Sequence, residues 1–224
     1  MKKLVMMKKL LLLLALALFS IQVFSQRLQF GVFADPQVSW MSPDVSQVHN
    51  DTPKIGINFG FFADKYFAEN YAFTTGLSIN SVGGSLKYDN AFNLRLTGDN
   101  THSIKEGSTV EYKLQYLCIP FGLKFKTRRI GYFTYFAKLG VTSQFNIKAL
   151  ADSPANGLDN ENVRGAVNFL YMGYHIGIGT EYSLGGNTAL TGGITYTNGF
   201  TNVTSGSAGK TDLNYLAVRL GVLF

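Results

Sequence analysis

Residues 131–148 read GYFTYFAKLGVTSQFNIK, and their alternation decides the fold. The odd positions, Phe133, Tyr135, Ala137, Leu139, Val141, Ser143, Phe145 and Ile147, are apolar but for one serine. The even positions, Tyr132, Thr134, Phe136, Lys138, Gly140, Thr142, Gln144, Asn146 and Lys148, are mostly small or polar. A period of two is the mark of a strand with one apolar face. At about 17 residues the segment is nearly three times as long as the usual globular strand.

The same reading repeats along the chain and predicts eight strands, over 26–34, 55–64, 71–84, 110–126, 131–148, 166–184, 188–201 and 213–224. Leu28/Phe30/Val32, Ile55/Ile57/Phe59/Phe61, Phe73/Leu77/Ile79 and Leu170/Met172/Tyr174/Ile176/Ile178 form apolar faces, with Gly, Ser, Thr and Asn prominent opposite them. The fourth strand has a clean apolar face at Leu117, Ile119, Phe121, Leu123 and Phe125, but the same parity earlier holds Glu111, Lys113 and Gln115. A bulge could do this; the preferred reading is a strand whose lower ten or so residues cross lipid while its upper part stands in water.

Connections fall into two classes. Those at Asp64–Asn70, Thr127–Ile130 and Gly185–Asn187 are tight, whereas Asp35–Lys54, Ser85–Thr109, Ala149–Gly165 and Asn202–Asp212 are long and polar. Short turns at one end and long loops at the other describe an all-β, eight-stranded antiparallel up-and-down transmembrane β-barrel of the OmpA/OmpX type. Tyr66, Phe67, Tyr71, Phe73, Phe125, Tyr132, Phe133 and Tyr182 gather near the short-turn end as an expected aromatic girdle. A lipocalin-like soluble barrel would also alternate. The small polar residues of the second face suit the cramped inside of a narrow membrane barrel better, and Leu216, Val218, Leu220, Val222 and the final Phe224 share one parity.

Composition fits this reading. The 224 residues are 46% hydrophobic and only 15% charged, far below the roughly 25% charged of soluble domains. The formal charge of +6 owes four units to Lys2, Lys3, Lys8 and Lys9; without them 16 basic and 14 acidic residues leave +2, and no nucleic-acid partner is implied. Those lysines open a secretory signal peptide, followed by an apolar run from Leu10 to Phe19 and the tail IQVFSQ. Cleavage is placed after Ser25, giving a signal peptide at 1–25 and a barrel domain at 26–224. No cysteine follows the apolar run, so a lipoprotein is not expected. The expected location is the outer membrane of a Gram-negative cell.

The stretch YLCIPFGLKFK at Tyr116–Lys126, the closing NYLAVRLGVLF, and Gln26 directly after the leader resemble the outer-membrane β-barrel family of Bacteroidetes-type bacteria, the porin-like PorT family. The resemblance spans the expected mature chain. It implies a lipid bilayer as environment and recognition of the C-terminal strand by the barrel assembly machinery. It also implies, for some members, an accessory role in type IX secretion, and here a secretion-apparatus or extracellular partner for the loops. The first expectation is a non-enzymatic barrel whose outer loops bind a partner or shield the surface; a type IX accessory subunit is the alternative, and a lipid- or peptide-modifying barrel enzyme is third.

No catalytic, cofactor-binding or metal-binding residue is assigned, and no cofactor is expected. Gly177-Ile178-Gly179 lies within a strand with no helix after it, so it is no dinucleotide loop. His49 and His102 share the long loops with Asp44, Asp51, Asp99 and Glu106 and are read as solvated loop residues. Trp40 is a contact residue or an interface anchor, and Cys118 a small interior filler. An eight-stranded barrel is just wide enough to be filled by its own side chains, so no open pore is expected. Register counting places Lys124 opposite Thr134, Thr134 opposite Glu181, Glu181 opposite Thr191, and Arg219 near Gly193 or Thr195. Glu181 is thereby expected to be an interior counter-ion to Lys124, to Arg219, or to both.

Overall fold

The computed structural model describes residues 28–98, 100–205 and 210–224. The expected signal peptide and Gln26 lie outside the described residues. Eight long strands close into one ring: β1 (Leu28–Pro43), β2 (Val48–Ala68), β3 (Tyr71–Tyr88), β6 (Thr109–Lys126), β7 (Phe133–Ser153), β9 (Leu170–Gly185), β10 (Thr188–Gly199) and β11 (Thr211–Leu223). Each pairs antiparallel with its neighbours along the chain, and β11 returns to β1. Three short strands lie in the connections. β4 (Phe92–Arg95) and β5 (Thr101–Ile104) form a hairpin, and β8 (Leu158–Asn162) pairs with the end of β7.

Register fixes the size of the barrel. Following paired residues once around from Gln29 leads through Asp64, Thr74, Gly122, Gly140, His175, Thr197 and Tyr215 back to Ser39, a stagger of ten residues. With about 3.3 Å per residue and about 4.8 Å between strands, eight strands and this stagger give a tilt near 40° and a radius of about 8 Å. Large interior rings fit only where a neighbour lacks a side chain. A Cβ on Gly31 would stand 2.5 Å from Phe62 Cζ, and one on Gly179 would stand 2.5 Å from Phe136 Cζ.

The apolar parity faces outward through the lower part of every strand. Phe30, Phe61, Phe73, Phe121, Leu139, Ile176, Ile194 and Leu220 are all more than two-fifths exposed, as lipid requires. Phe67, Tyr71, Phe73 and Phe125 pack ring on ring at the short-turn end, as do Tyr132, Phe133 and Tyr182. Tyr66 departs from the expected girdle: it is buried inside, where its hydroxyl donates to Gln29 at 3.3 Å and accepts from Lys126 at 2.9 Å. Trp40 stacks on Tyr196 with centroids 6.3 Å apart, ten residues above Phe30 on β1. Ten residues at this tilt rise about 25 Å, the height of an outer-membrane apolar band.

Above the band, much of what reads as long loop is strand. β1 runs to Pro43, β2 starts at Val48, and β7 continues to Ser153. The polarity there is reversed. Glu111, Lys113 and Gln115 keep the outward parity of β6, as the water-projecting reading expects, while Val110, Tyr112, Leu114 and Tyr116 point inward and are buried. With Met41, Leu86, Leu94, Ile104 and Leu213 they form an apolar core of ordinary soluble type. The bulge lies on β7: Lys148 pairs with Gln115 but Asn146 with Tyr116, so Ile147 is extra. Below it even-numbered residues face inward; above it Ala149, Ala151 and Ser153 do.

Candidate functional site

The lower interior holds a cluster of charges that lipid could not accept. Lys124 contacts both Asp64 and Glu181, at 2.5 Å to the latter, and Lys126 reaches Glu181 at 2.8 Å. Arg219 turns instead to Asp35, with Nε at 3.1 and 3.2 Å from the two carboxylate oxygens and Nη2 at 2.7 Å. The expected Glu181 counter-ion role thus holds for Lys124 and not for Arg219. Thr134 does pair with Glu181, Glu181 with Thr191, and Arg219 with Gly193. Lys124, however, pairs with Lys138 rather than Thr134, because β6 and β7 first pair at Lys126 and Phe136, which leaves 127–135 between them and moves the register by four.

The aromatic rings of this layer share the cationic load. Lys138 Nζ lies 4.6 Å from the Phe62 centroid and 5.2 Å from that of Phe136, and the Arg219 guanidinium lies 4.2 Å from Phe33, distances at which cation–π attraction acts. Amide groups fill the next layer. Gln37 donates to Asn80 at 2.5 Å, and Asn80 and Cys118 both point donors at Gln144 Oε1 at 3.4 Å. Cys118 is the buried filler expected of it. Tyr116, Tyr171 and Tyr215 come next, with the Tyr171 hydroxyl donating to the Leu213 carbonyl at 2.5 Å. The apolar core closes the top.

The outer end of this core bears a cleft of about 550 Å³. Its walls come from the β1–β2 connection, the β4–β5 hairpin, and the segments around Ala166 and Thr204. Tyr88 and Phe92 stack on one side with centroids 4.1 Å apart, and the Tyr88 and Tyr112 hydroxyls share a hydrogen bond of 2.9 Å. Burial pushes the Tyr88 hydroxyl up to about 12 and that of Tyr112 well above its ordinary value, so both stay protonated beyond the pH at which a free tyrosine ionises. Arg95 stands at the rim. The hairpin is held down by Leu94 and Ile104, both buried, and by the Thr97 amide donating to the Asn162 carbonyl at 2.9 Å.

The loop histidines do not assemble with the acidic residues nearest in sequence. His49 Nε2 lies 2.9 Å from Asp89, and both side chains are about half exposed. His102 Nε2 meets the Asn156 carbonyl at 2.8 Å. Asp44 instead ties β1 to β11 by accepting from the Lys210 amide at 2.7 Å. Asp99 lies outside the described residues. Among the described residues no three or more His, Cys, Asp or Glu side chains group as metal ligands do. The cleft itself was not legible from motifs, because its lining residues come from four separate connections.

A closed eight-strand ring with an apolar outer band and a polar, ion-paired interior is the architecture of outer-membrane barrels. Residues 22–205 match the outer membrane protein beta-barrel domain family. The chain belongs to that family. No curated protein matches the sequence. Among solved structures it is similar to Neisserial surface protein A, NspA, at 13% identity over 87% of this chain and 95% of the other, with a TM-score of 0.48. It is similar also to OprG from Pseudomonas aeruginosa, at 12% identity over 88% and 95% with a TM-score of 0.46. A major outer membrane protein from Thermus thermophilus matches at 13% identity over 88% and 99%, with a TM-score of 0.45.

Proposed function

We propose that this chain is a non-enzymatic, sealed outer-membrane barrel that presents an external binding cleft. The observation carrying this reading is the cleft of about 550 Å³ set on an apolar plug. Concave, mostly apolar sites with a few polar groups are where small ligands bind, and the plug beneath leaves this one no route inward. The reading includes removal of residues 1–25, insertion of 26–224 by the barrel assembly machinery acting on the last strand, and kinship with the PorT-like barrels of Bacteroidetes.

Cysteine labelling tests it. Cys118 is buried, so Asn93→Cys, on the exposed face of β4 beside the cleft, offers one accessible thiol. A membrane-impermeant maleimide should label it on intact cells, and the purified protein should give no steady conductance in a planar bilayer. An unreactive Asn93→Cys or a stable open channel would overturn the proposal. Stoichiometric recovery of secretion subunits from gently solubilised membranes would favour the type IX accessory reading in its place.

A further inference from the structure

The outer surface just above the apolar band carries a groove of about 310 Å³ lined by Lys54, Lys113 and Lys148, from β2, β6 and β7. Two of these lysines are there because the sheet is irregular. The extra residue at Ile147 takes Lys148 out of the inward-facing series that includes Lys138, Gln144 and Asn146 and exposes it on the outer wall. The bulge is fastened by Asn146 Nδ2 donating to the Lys148 carbonyl at 3.2 Å. A second register shift between Pro53 and Ile57 accompanies Lys54, whose stem lies over Gly83 on the outer face: a Cβ there would stand 2.9 Å from Lys54 Cδ. Bulges re-aim side chains. Here two on different strands converge on one groove.

The charges are layered along the barrel axis. Lys148 is level with Gln115 and Lys113 with Leu150, whereas Glu111 is level with Asp152, one step farther from the band. Lys54 ion-pairs with Glu111 and Lys113 with Asp152, and Lys113 Nζ also donates to Asn160 Oδ1 at 3.0 Å. Asp159 and Glu161 flank this level on β8, where Glu161 pairs with Ala151 and Leu158 with Ser153, so they too lie farther from the band than Lys113 and Lys148. Lys148 has no ion-pair or hydrogen-bond partner for its ammonium among the described residues. Directly below the lysines the wall is apolar, with Ile55 82% exposed and Ile147 41% exposed. An ammonium group beside bare hydrocarbon, with carboxylates on its far side, is placed for an anion that arrives with an acyl chain.

We propose that this groove binds the phosphate-bearing headgroup of an anionic lipid in the outer leaflet, with Lys148 as its open contact and Lys54 and Lys113 held beside it by Glu111 and Asp152. The assignment to the outer leaflet rests on the outward orientation of the long-strand end; the lipid preference itself does not, so the two fail separately.

Native mass spectrometry of the detergent-solubilised full barrel, titrated with phosphatidylglycerol or phosphatidylcholine of equal chain length, reads that preference. Retention of phosphatidylglycerol should exceed that of phosphatidylcholine. Lys148→Gln should weaken it by about fivefold, the effect of one basic residue at a lipid surface, and Lys54→Gln/Lys113→Gln/Lys148→Gln should abolish the preference. Arg128→Gln/Arg129→Gln at the opposite rim should leave it intact, and millimolar inorganic phosphate should not displace the lipid. Lys148→Gln removes no internal contact, so heat-modifiable migration should remain normal. No preference for the anionic lipid, a preference lost only in the Arg128/Arg129 pair, or equal competition by inorganic phosphate would each overturn the proposal.

Discussion

Asp35→Asn is expected to destabilise the barrel far more than Glu181→Gln, although both remove a buried carboxylate. Asp35 is 1% exposed and is the only carboxylate that Arg219 contacts among the described residues, through three hydrogen bonds of 2.7 to 3.2 Å. Leaving a buried charge without its partner costs about 3 to 5 kcal/mol, a factor between about 150 and 5,000 in the folding equilibrium. Glu181 is different. Without it Lys124 still holds Asp64, and Lys126 still meets Tyr66, so the loss should stay below about 2 kcal/mol. Replacing both partners, as Asp35→Leu/Arg219→Met, should recover most of the Asp35→Asn loss, because an apolar pair strands no charge. Urea titration in lipid vesicles, read by heat-modifiable gel migration, measures all three. Equal losses for Asp35→Asn and Glu181→Gln, or a double variant no better than Asp35→Asn, would refute the assignment of Asp35 as the dedicated partner of Arg219.

Leu139, 49% exposed on β7, should cost about 2 to 4 kcal/mol when changed to Arg if it faces the bilayer midplane. Thr142→Arg, from the buried interior, should act through crowding against His175, 2.9 Å away, and the two should separate by unfolding in lipid versus detergent. Phe224 exchanges backbone hydrogen bonds of 2.9 and 3.2 Å with Phe30 while its ring stays exposed. Its deletion should therefore lower the yield of inserted barrel without blocking export, as judged by fractionation. Burial pushes the Asp152 carboxyl up, but the Lys113 hydrogen bond and the Asn160 amide more than reverse this and hold it below 3.8. A carboxylate with a depressed folded pKa stabilises above its unfolded value and loses that contribution as pH falls through the folded one. The Asn160 amide resonance should accordingly titrate with a midpoint below the ordinary carboxylate range, and one at or above 3.8 would contradict the bridge.

The ring of eight strands was legible because lipid punishes any break in parity, so the sequence of each crossing segment is strict. The places that mislead have identifiable physics. Asp35-Pro36 reads as a turn, yet β1 passes through it: Arg219 neutralises Asp35, and the ladder to β11 steps from Ala34 to Gln37 where Pro36 offers no N–H. Asp64 reads as the start of a turn for the same reason, an acidic residue next to apolar ones, and its partner Lys124 lies 60 residues away. Phe136 reads as an exception on a small and polar face; it is an interior ring whose room depends on Gly179, a neighbour invisible to local pattern. Tyr66 sits in a girdle by sequence neighbourhood and inside the barrel by parity. Of the outer cleft, only its location in the connections was legible, since four of them must fold together before it exists.

Parity alone cannot say which face of a strand is wet, and this chain uses that freedom. On β6 one unbroken alternation carries Lys124, Cys118, Tyr116 and Val110 to the inside, a series that passes from charged to apolar as the surroundings outside pass from lipid to water. Each half obeys the same rule: the side chains that match the solvent face it, and the rest are enclosed. The lower half therefore must satisfy ions inside, and it does so with Asp35, Asp64 and Glu181 against Lys124 and Arg219. The upper half encloses hydrocarbon in the cluster that includes Leu86, Tyr112, Leu114 and Leu213. The tyrosine layer and the apolar core above it replace the ion-paired interior of the lower half with packed rings and aliphatic side chains. The strand extension that lengthens the barrel thus also builds the apolar plug on which the proposed sealing rests, and it carries the cleft and the lysine groove beyond the apolar band.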